Sequence, residues 1–121
     1  MKQNKTKNKP FINLSLNLCK IEIKGPSYSE DIDDIYAEII KWMQDNIPKM
    51  KCELICEFHF NILNSISHKN LLQIFSLLSE FSEKGKKMKI VWYADKNDED
   101  ILELADDISE LFNLQFKVVE K

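Results

Sequence analysis

The segment spanning residues 52–94 changes its apolar period twice, and that change constrains the fold more than any other feature. Residues 52–60 alternate. Leu54, Cys56, Phe58 and Phe60 fall on one face, and Glu53, Glu57 and His59 on the other with Ile55 among them. Period two marks a strand, here a central or near-central one. Residues 71–81 then place seven apolar side chains in eleven at helical spacing. Residues 88–94, MKIVWYA, are almost continuously apolar. Strand, helix and strand in succession argue for a crossover and a parallel βαβ unit. A strand as apolar as the last is expected to be covered on both faces.

The flanks extend this unit. FINLSL (residues 11–16) and IEIK (residues 21–24) alternate around residues 17–20 and read as a hairpin, stopped by Gly25-Pro26. Ser27-x-x-Glu30 fits a capping box, with Ser29 as an alternative cap. Glu30, Asp31, Asp33 and Asp34 suit the positive end of a helix whose apolar row is Ile32, Ile35, Tyr36, Ile39, Met43 and Ile47, ending at Pro48. Gly85 is the stop for the helix over 71–81. Residues 95–100 cap a third helix with a core face of Ile101, Leu104, Ala105, Ile108, Leu111 and Phe112, and residues 115–120 form a last strand. The expected class is α/β: a mixed sheet of about five strands with three main helices, in the order ββαβαβαβ. Residues 1–9, with four lysines and no acid, are expected to be a disordered tail, and residues 10–121 a single domain. In a parallel set the loops at 25–29, 61–67 and 94–98 share one sheet edge, where open α/β sheets usually place their function.

Composition excludes several classes. The net charge of −3 gives no basic face for nucleic acid. All 17 basic residues are lysine, and only Gly25 and Gly85 are glycine. There is therefore no arginine fork and no Gly-rich phosphate loop. No apolar run approaches the roughly 18 residues of a membrane span. An odd number of cysteines without a signal peptide points to a reduced, cytoplasmic protein. Cys52 and Cys56, about 13 Å apart on one strand, are too far apart to bridge and read as small core residues. His59 and His68 are the only histidines and have no metal-ligand spacing, so neither metal nor cofactor is expected. Asp95, Asp98, Glu99 and Asp100 read as a helix cap rather than a cation site. Ser65 and His68 lack both a nucleophile elbow and an orienting acid, so no enzyme is expected.

The junction FNILNSISHKN (residues 60–70) carries more polar groups than a cap needs. Asn64 or Ser65 satisfies the first amides of the second helix. A hydroxyl there is also a favourable place for a phosphate, because free N–H groups and the helix dipole stabilise the added charge. The apolar residues of that helix cover roughly 220° of arc, against the ~100° stripe of a helix lying on a sheet. Leu72 and Leu77 thus belong either to a partner surface or to a helix wedged between two others.

IEIKGPSYSEDIDDIYAEIIKWM, FHFNILNSISHKNLLQIFSLL and KIVWYADKNDEDILELADDI resemble, in that order, three sequence blocks of the SiaC-type regulatory phosphoproteins. The resemblance runs from about residue 11 to 121. It implies an STAS-like fold, as in anti-sigma-factor antagonists, and phosphorylation on a hydroxyl after the central strand. By position the acceptor is Ser65, following Asn64. The family's next serine is Ile66 here, which makes Ser67 the rival acceptor. Ile62-Leu63 replaces an aromatic pair, and Ser29 replaces a proline. The implied partner surface is Tyr28, Leu63, Asn64, Ser65, Ile66, Ser67, His68 and Leu72. The implied partners are a kinase of the histidine-kinase-like ATPase type, a PP2C-type phosphatase and a target such as a diguanylate cyclase. The unphosphorylated form would bind that target in cyclic di-GMP control of biofilm growth.

Overall fold

In a computed structural model, the described residues are 2, 3, 11–25, 30–60 and 65–121, with the backbone alone described at 2, 3 and 65–67. The elements follow the expected order: β1 (Lys2–Gln3), β2 (Phe11–Ser15), β3 (Lys20–Lys24), α1 (Ile32–Asn46), a 3-10 turn (Ile47–Lys49), β4 (Leu54–His59), α2 (Ser65–Glu83), β5 (Met88–Ala94), α3 (Glu99–Phe112) and β6 (Phe116–Glu120). The sheet order is β1-β2-β3-β4-β5-β6. The first two pairings are antiparallel and the remaining three parallel. The two-residue β1 lies within the expected tail and adds an outer strand. The rest of that tail is outside the described residues.

Each parallel crossover steps to the adjacent strand in the same direction. Crossovers of one hand place their helices on one face. Ile12, Ile21, Ile23, Leu54, Cys56, Phe58, Ile90, Trp92 and Ala94 form a single buried cluster with residues from all three helices. Phe58, Phe60, Phe75, Trp92 and Phe116 supply its aromatic centre, with ring centroids 5.0–6.2 Å apart.

The expectation that β5 is covered on both faces is therefore corrected. Ile90, Trp92 and Ala94 lie under helices, whereas Lys89 on the other face is exposed and Tyr93 is half-buried. Only Val91 is buried there, between β4 and β6 neighbours Glu57 and Lys117. β5 lies between β4 and β6, and the described helices cover one of its faces.

The helix boundaries show local chemistry. α1 begins at Ile32 with Asp31 at its N-cap, rather than at the serines of the expected capping box; Ser27 and Ser29 lie outside the described residues. The helix starts where its buried row starts, and Asp33 and Asp34 occupy the first turn. α2 runs longer than its apolar row predicts. It ends in a Schellman motif: Gly85, at φ +97°, donates to the Ser82 carbonyl and Lys86 donates to that of Phe81. α3 ends in the same motif on Asn113, at φ +53°, with Leu114 donating to Ser109. Its N-cap is Asp98, whose carboxylate accepts from the Ile101 amide at 3.1 Å. Leu111, expected in the core, is 66% exposed. It sits about 90° from the centre of the buried stripe of Ile101, Ala105 and Ile108.

Cys52 is a second correction. β4 starts at Leu54, so the alternation does not reach Cys52. Cys52 is exposed and forms a disulfide with Cys19, whereas Cys56 is buried as expected. The bridge also replaces the expected fully reduced chain. Among the described residues, no helix is long and apolar enough to cross a membrane.

Candidate phosphorylation and partner-binding site

The parallel register brings the carboxyl ends of three strands level. Lys24 of β3 pairs with His59 of β4, and His59 with Tyr93 of β5. The expected common edge is thus present. At its rim Gly25, at φ +94°, turns the chain out of β3 and donates its amide to the His59 carbonyl at 2.7 Å. A side chain at that φ would be strained. α1, α2 and α3 each follow one of these strands, so all three present their amino ends here. The helix dipoles point their positive ends at this rim, where Asp33 and Asp34 of α1 and Asp98, Glu99 and Asp100 at the start of α3 answer them with acidic groups.

Ser65 is the first residue of α2 and Ser67 the third, placing both candidate acceptors in the first turn. Their side chains and that of Ile66 lie outside the described residues, as do Tyr28, Leu63 and Asn64. Of the remaining residues in the expected set, His68 is exposed in α2. Leu72 is half-buried against the core, as is Leu77. The wide apolar arc of α2 is explained by its place in the layer, because α2 packs against α1 on one side and α3 on the other.

Two hydrogen bonds fix α2 between its neighbours. Asn70 donates through Nδ2 to Oδ1 of Asp33 at 2.8 Å, tying the second turn of α2 to the first turn of α1. Ser79 Oγ donates to the Phe112 carbonyl at 3.2 Å, tying α2 to the end of α3. Asn70 is only 6% exposed. Sequence reading passed over it, although it sits one turn before Ile74 on the buried row, where a polar residue needs a partner.

The helix-free face reaches the same rim through a polar network. Glu22 and Glu57 sit directly opposite one another on β3 and β4, a repulsive pairing taken alone. Lys20 neutralises them, with Nζ 3.0 Å from Glu57 and 4.0 Å from Glu22, and Lys24 Nζ lies 2.7 Å from Glu22. Asn13 donates to Glu22 at 3.2 Å. Burial pushes the Glu22 carboxyl up, but bonds from Lys24 and Asn13 and the two lysine charges outweigh it, so its pKa lies below the ordinary value. The hydrogen bond to Glu57 holds the Lys20 ammonium above its ordinary range. Tyr93 donates to Glu57 at 3.2 Å, and desolvation together with that carboxylate raises the phenol. The Lys121 ammonium lies 4.4 Å from the centre of the Tyr93 ring. At the rim, His59 Nε2 is 3.6 Å from Asp95, longer than a hydrogen bond. No group of three or more His, Cys, Asp or Glu able to hold a metal occurs among the described residues.

The described residues form a mixed sheet with one helical layer, and the hydroxyl-bearing amino end of α2 stands at the shared rim. The chain belongs to the SiaC family of regulatory phosphoproteins, matched over residues 3–121. It is 24% identical over 113 residues to a protein of Pseudomonas aeruginosa (strain UCBPP-PA14), covering 93% of this chain and 90% of that one. The same fold is found in SiaC of P. aeruginosa crystallised in complex with the diguanylate cyclase SiaD, which it activates. That likeness has a TM-score of 0.92 and 22% identity, over 100% of this chain and 99% of that chain. SiaC of P. aeruginosa in another structure gives 0.90 and 21%, over 100% and 98%. Its apo form gives 0.84 and 20%, over 98% and 96%.

Proposed function

We propose that this protein is a phosphorylation-switched binding protein of a cytoplasmic partner-switching pathway, with Ser65 as the acceptor and Ser67 as its rival. The carrying observation is the place of Ser65: the first residue of a 19-residue helix whose amino end is held at the common strand edge by Asn70 and Asp33. A phosphate there adds about −1.5 to −2 charges beside free amides that stabilise it, so the fold tolerates the change. The exterior around the first turn of α2, near the exposed His68, becomes more anionic. A partner docking on Tyr28, Leu63, Asn64 and this first turn would have to desolvate that charge, and binding weakens. By analogy with the SiaC that activates SiaD, the target is a diguanylate cyclase. A kinase of the histidine-kinase-like ATPase type adds the phosphate and a PP2C-type phosphatase removes it. The protein acts by binding rather than by catalysis.

Peptide mapping of protein taken from its native cells tests the acceptor, and the expected result is one phosphate on Ser65. Affinity for the cyclase tests the mechanism. Ser65→Ala is expected to bind as the unmodified protein does. Ser65→Asp should bind at least tenfold more weakly, a loss of about 1.4 kcal/mol. Equal binding by Ser65→Asp would sink the charge mechanism. Absence of phosphate under every growth condition would leave a constitutive interaction module of the same fold.

A further inference from the structure

The Cys19–Cys52 bridge lies at the opposite end of the strands from the amino end of α2. Cys19 precedes Lys20, which pairs with Ile55, whereas the rim begins at Lys24 and His59. The separation along β3 is about 13 Å. The bridge joins the β2–β3 turn to the segment entering β4, closing a sequence separation of 33 residues.

Its two halves differ. Cys19 is 1% exposed and held at φ +51°, a conformation that a side chain disfavours. Its amide donates to the Leu16 carbonyl, and its carbonyl accepts from Ile55 at 2.8 Å. The turn it anchors presents Leu18 at 69% exposure. Cys52 is exposed, beside a hollow of about 300 Å³ with Lys49 and Lys51 on its wall. The Cys52 carbonyl accepts from Lys86 Nζ at 2.9 Å, so a third ammonium stands close by. An exposed cysteine with lysines around it is the setting of a reactive cysteine. Cys56 is the contrast: it is buried, and desolvation pushes its thiol far up.

We propose that Cys19–Cys52 is a redox-responsive latch, opened and closed by exchange with low-molecular-weight thiols, that fastens the β2–β3 turn to the start of β4. A thiolate attacks the sulfur of Cys52, the exposed residue of the pair. The S–S bond breaks, a mixed disulfide forms at Cys52, and the Cys19 thiolate leaves and takes up a proton. A second thiolate attacks the reductant's sulfur in that mixed disulfide, releasing Cys52 as a thiolate. Two protein thiols and one oxidised reductant result, and the reverse sequence closes the latch. The responsive character rests on the cytoplasmic placement proposed above, because disulfides there are usually transient. The pairing itself does not rest on it.

The test is a titration of the full chain in glutathione buffers, oxidised to reduced, read by thiol alkylation and mass. Cys19 and Cys52 are expected to gain label together, with Cys56 unlabelled until denaturant is added. Opening should lower the melting temperature by roughly 10–15 °C. The Cys19→Ser/Cys52→Ser variant should melt at the lower temperature in every buffer. A bridge still closed in excess reduced glutathione overturns the responsive latch. Label on Cys19 or Cys52 in the most oxidised buffer, or a link between two chains, overturns the pairing. Binding of Ser65→Asp reports on the phosphorylation reading separately.

Discussion

The two faces of the sheet solve the same problem by different chemistry. The helical face buries Phe58, Trp92 and Phe75 completely, and its cohesion is apolar area and close packing. The other face carries no described helix, and its centre is two facing carboxylates held by two lysines, an amide and a phenol. The apolar face determines whether the chain folds. The polar face pairs its charges across β3 and β4, whose ends are level at the rim where α2 begins. Charge pairs at such exposure contribute little each, so the two faces should respond very differently to substitution.

The largest expected effect is at Trp92. Trp92→Ala should cost about 3–5 kcal/mol, read by chemical denaturation, because it empties the aromatic centre. Trp92→Phe keeps a ring and removes an indole N–H that is buried without an acceptor among the described residues. Relief of that unpaired donor offsets part of the lost volume, so a cost of about 1–2 kcal/mol is expected. Equal losses for the two variants would show that the indole shape, and not apolar volume, organises this face.

Asn70 comes next, as the buried polar group within the apolar layer. Asn70→Ala should cost about 1–2 kcal/mol by removing a hydrogen bond to a carboxylate. The informative measurement is the double-mutant cycle with Asp33→Ala. Coupling of about 1 kcal/mol or more would support the tie between α2 and α1, and strict additivity would break it.

The face assignments were legible because period two and period 3.6 record which side chains share a surface. That sufficed for β4, for the core row of α1 and for the order of the elements. Residues whose partner is remote in sequence were not legible. Nothing in the segment around Cys52 announces Cys19, and extending the β4 alternation two residues past its start gave Cys52 the wrong role. Asn70 went unread because its partner, Asp33, is remote in sequence. The one-sided layer was also hidden, since MKIVWYA would suit a strand covered on one face or on both. For the candidate site, the apolar row gave a helix only over 71–81, and the polar groups left its cap open between Asn64 and Ser65, whereas α2 begins at Ser65; the alignment of the strand ends was legible. The register supplies that alignment, Lys24 to His59 to Tyr93.

A smaller effect is expected on the polar face. Lys20→Met removes the cation shared by Glu57 and Glu22, and should cost no more than about 1 kcal/mol. A loss as large as that at Trp92 would mean that the network, rather than the core, sets the strand register.

The pH dependence of that network is the smallest effect and the most diagnostic. Glu22 has its folded pKa lowered, so it contributes stability above its ordinary value of 4.5, lost as pH falls through the folded pKa. Lys20 is raised above 10.5, and its contribution is complete below that value and lost as pH rises through the folded pKa. Tyr93 is raised above 10.0; its neutral phenol donates to Glu57, so its contribution is likewise lost on the alkaline side. Stability should therefore weaken on both limbs. Glu22→Gln should flatten the acid limb, and Tyr93→Phe part of the alkaline one. Because Lys20 and Glu22 share one network, Lys20→Met should reduce both limbs at once. If it moves only the alkaline limb, Glu22 owes its lowered pKa to Lys24 and Asn13 alone, and the face consists of two separate pairs.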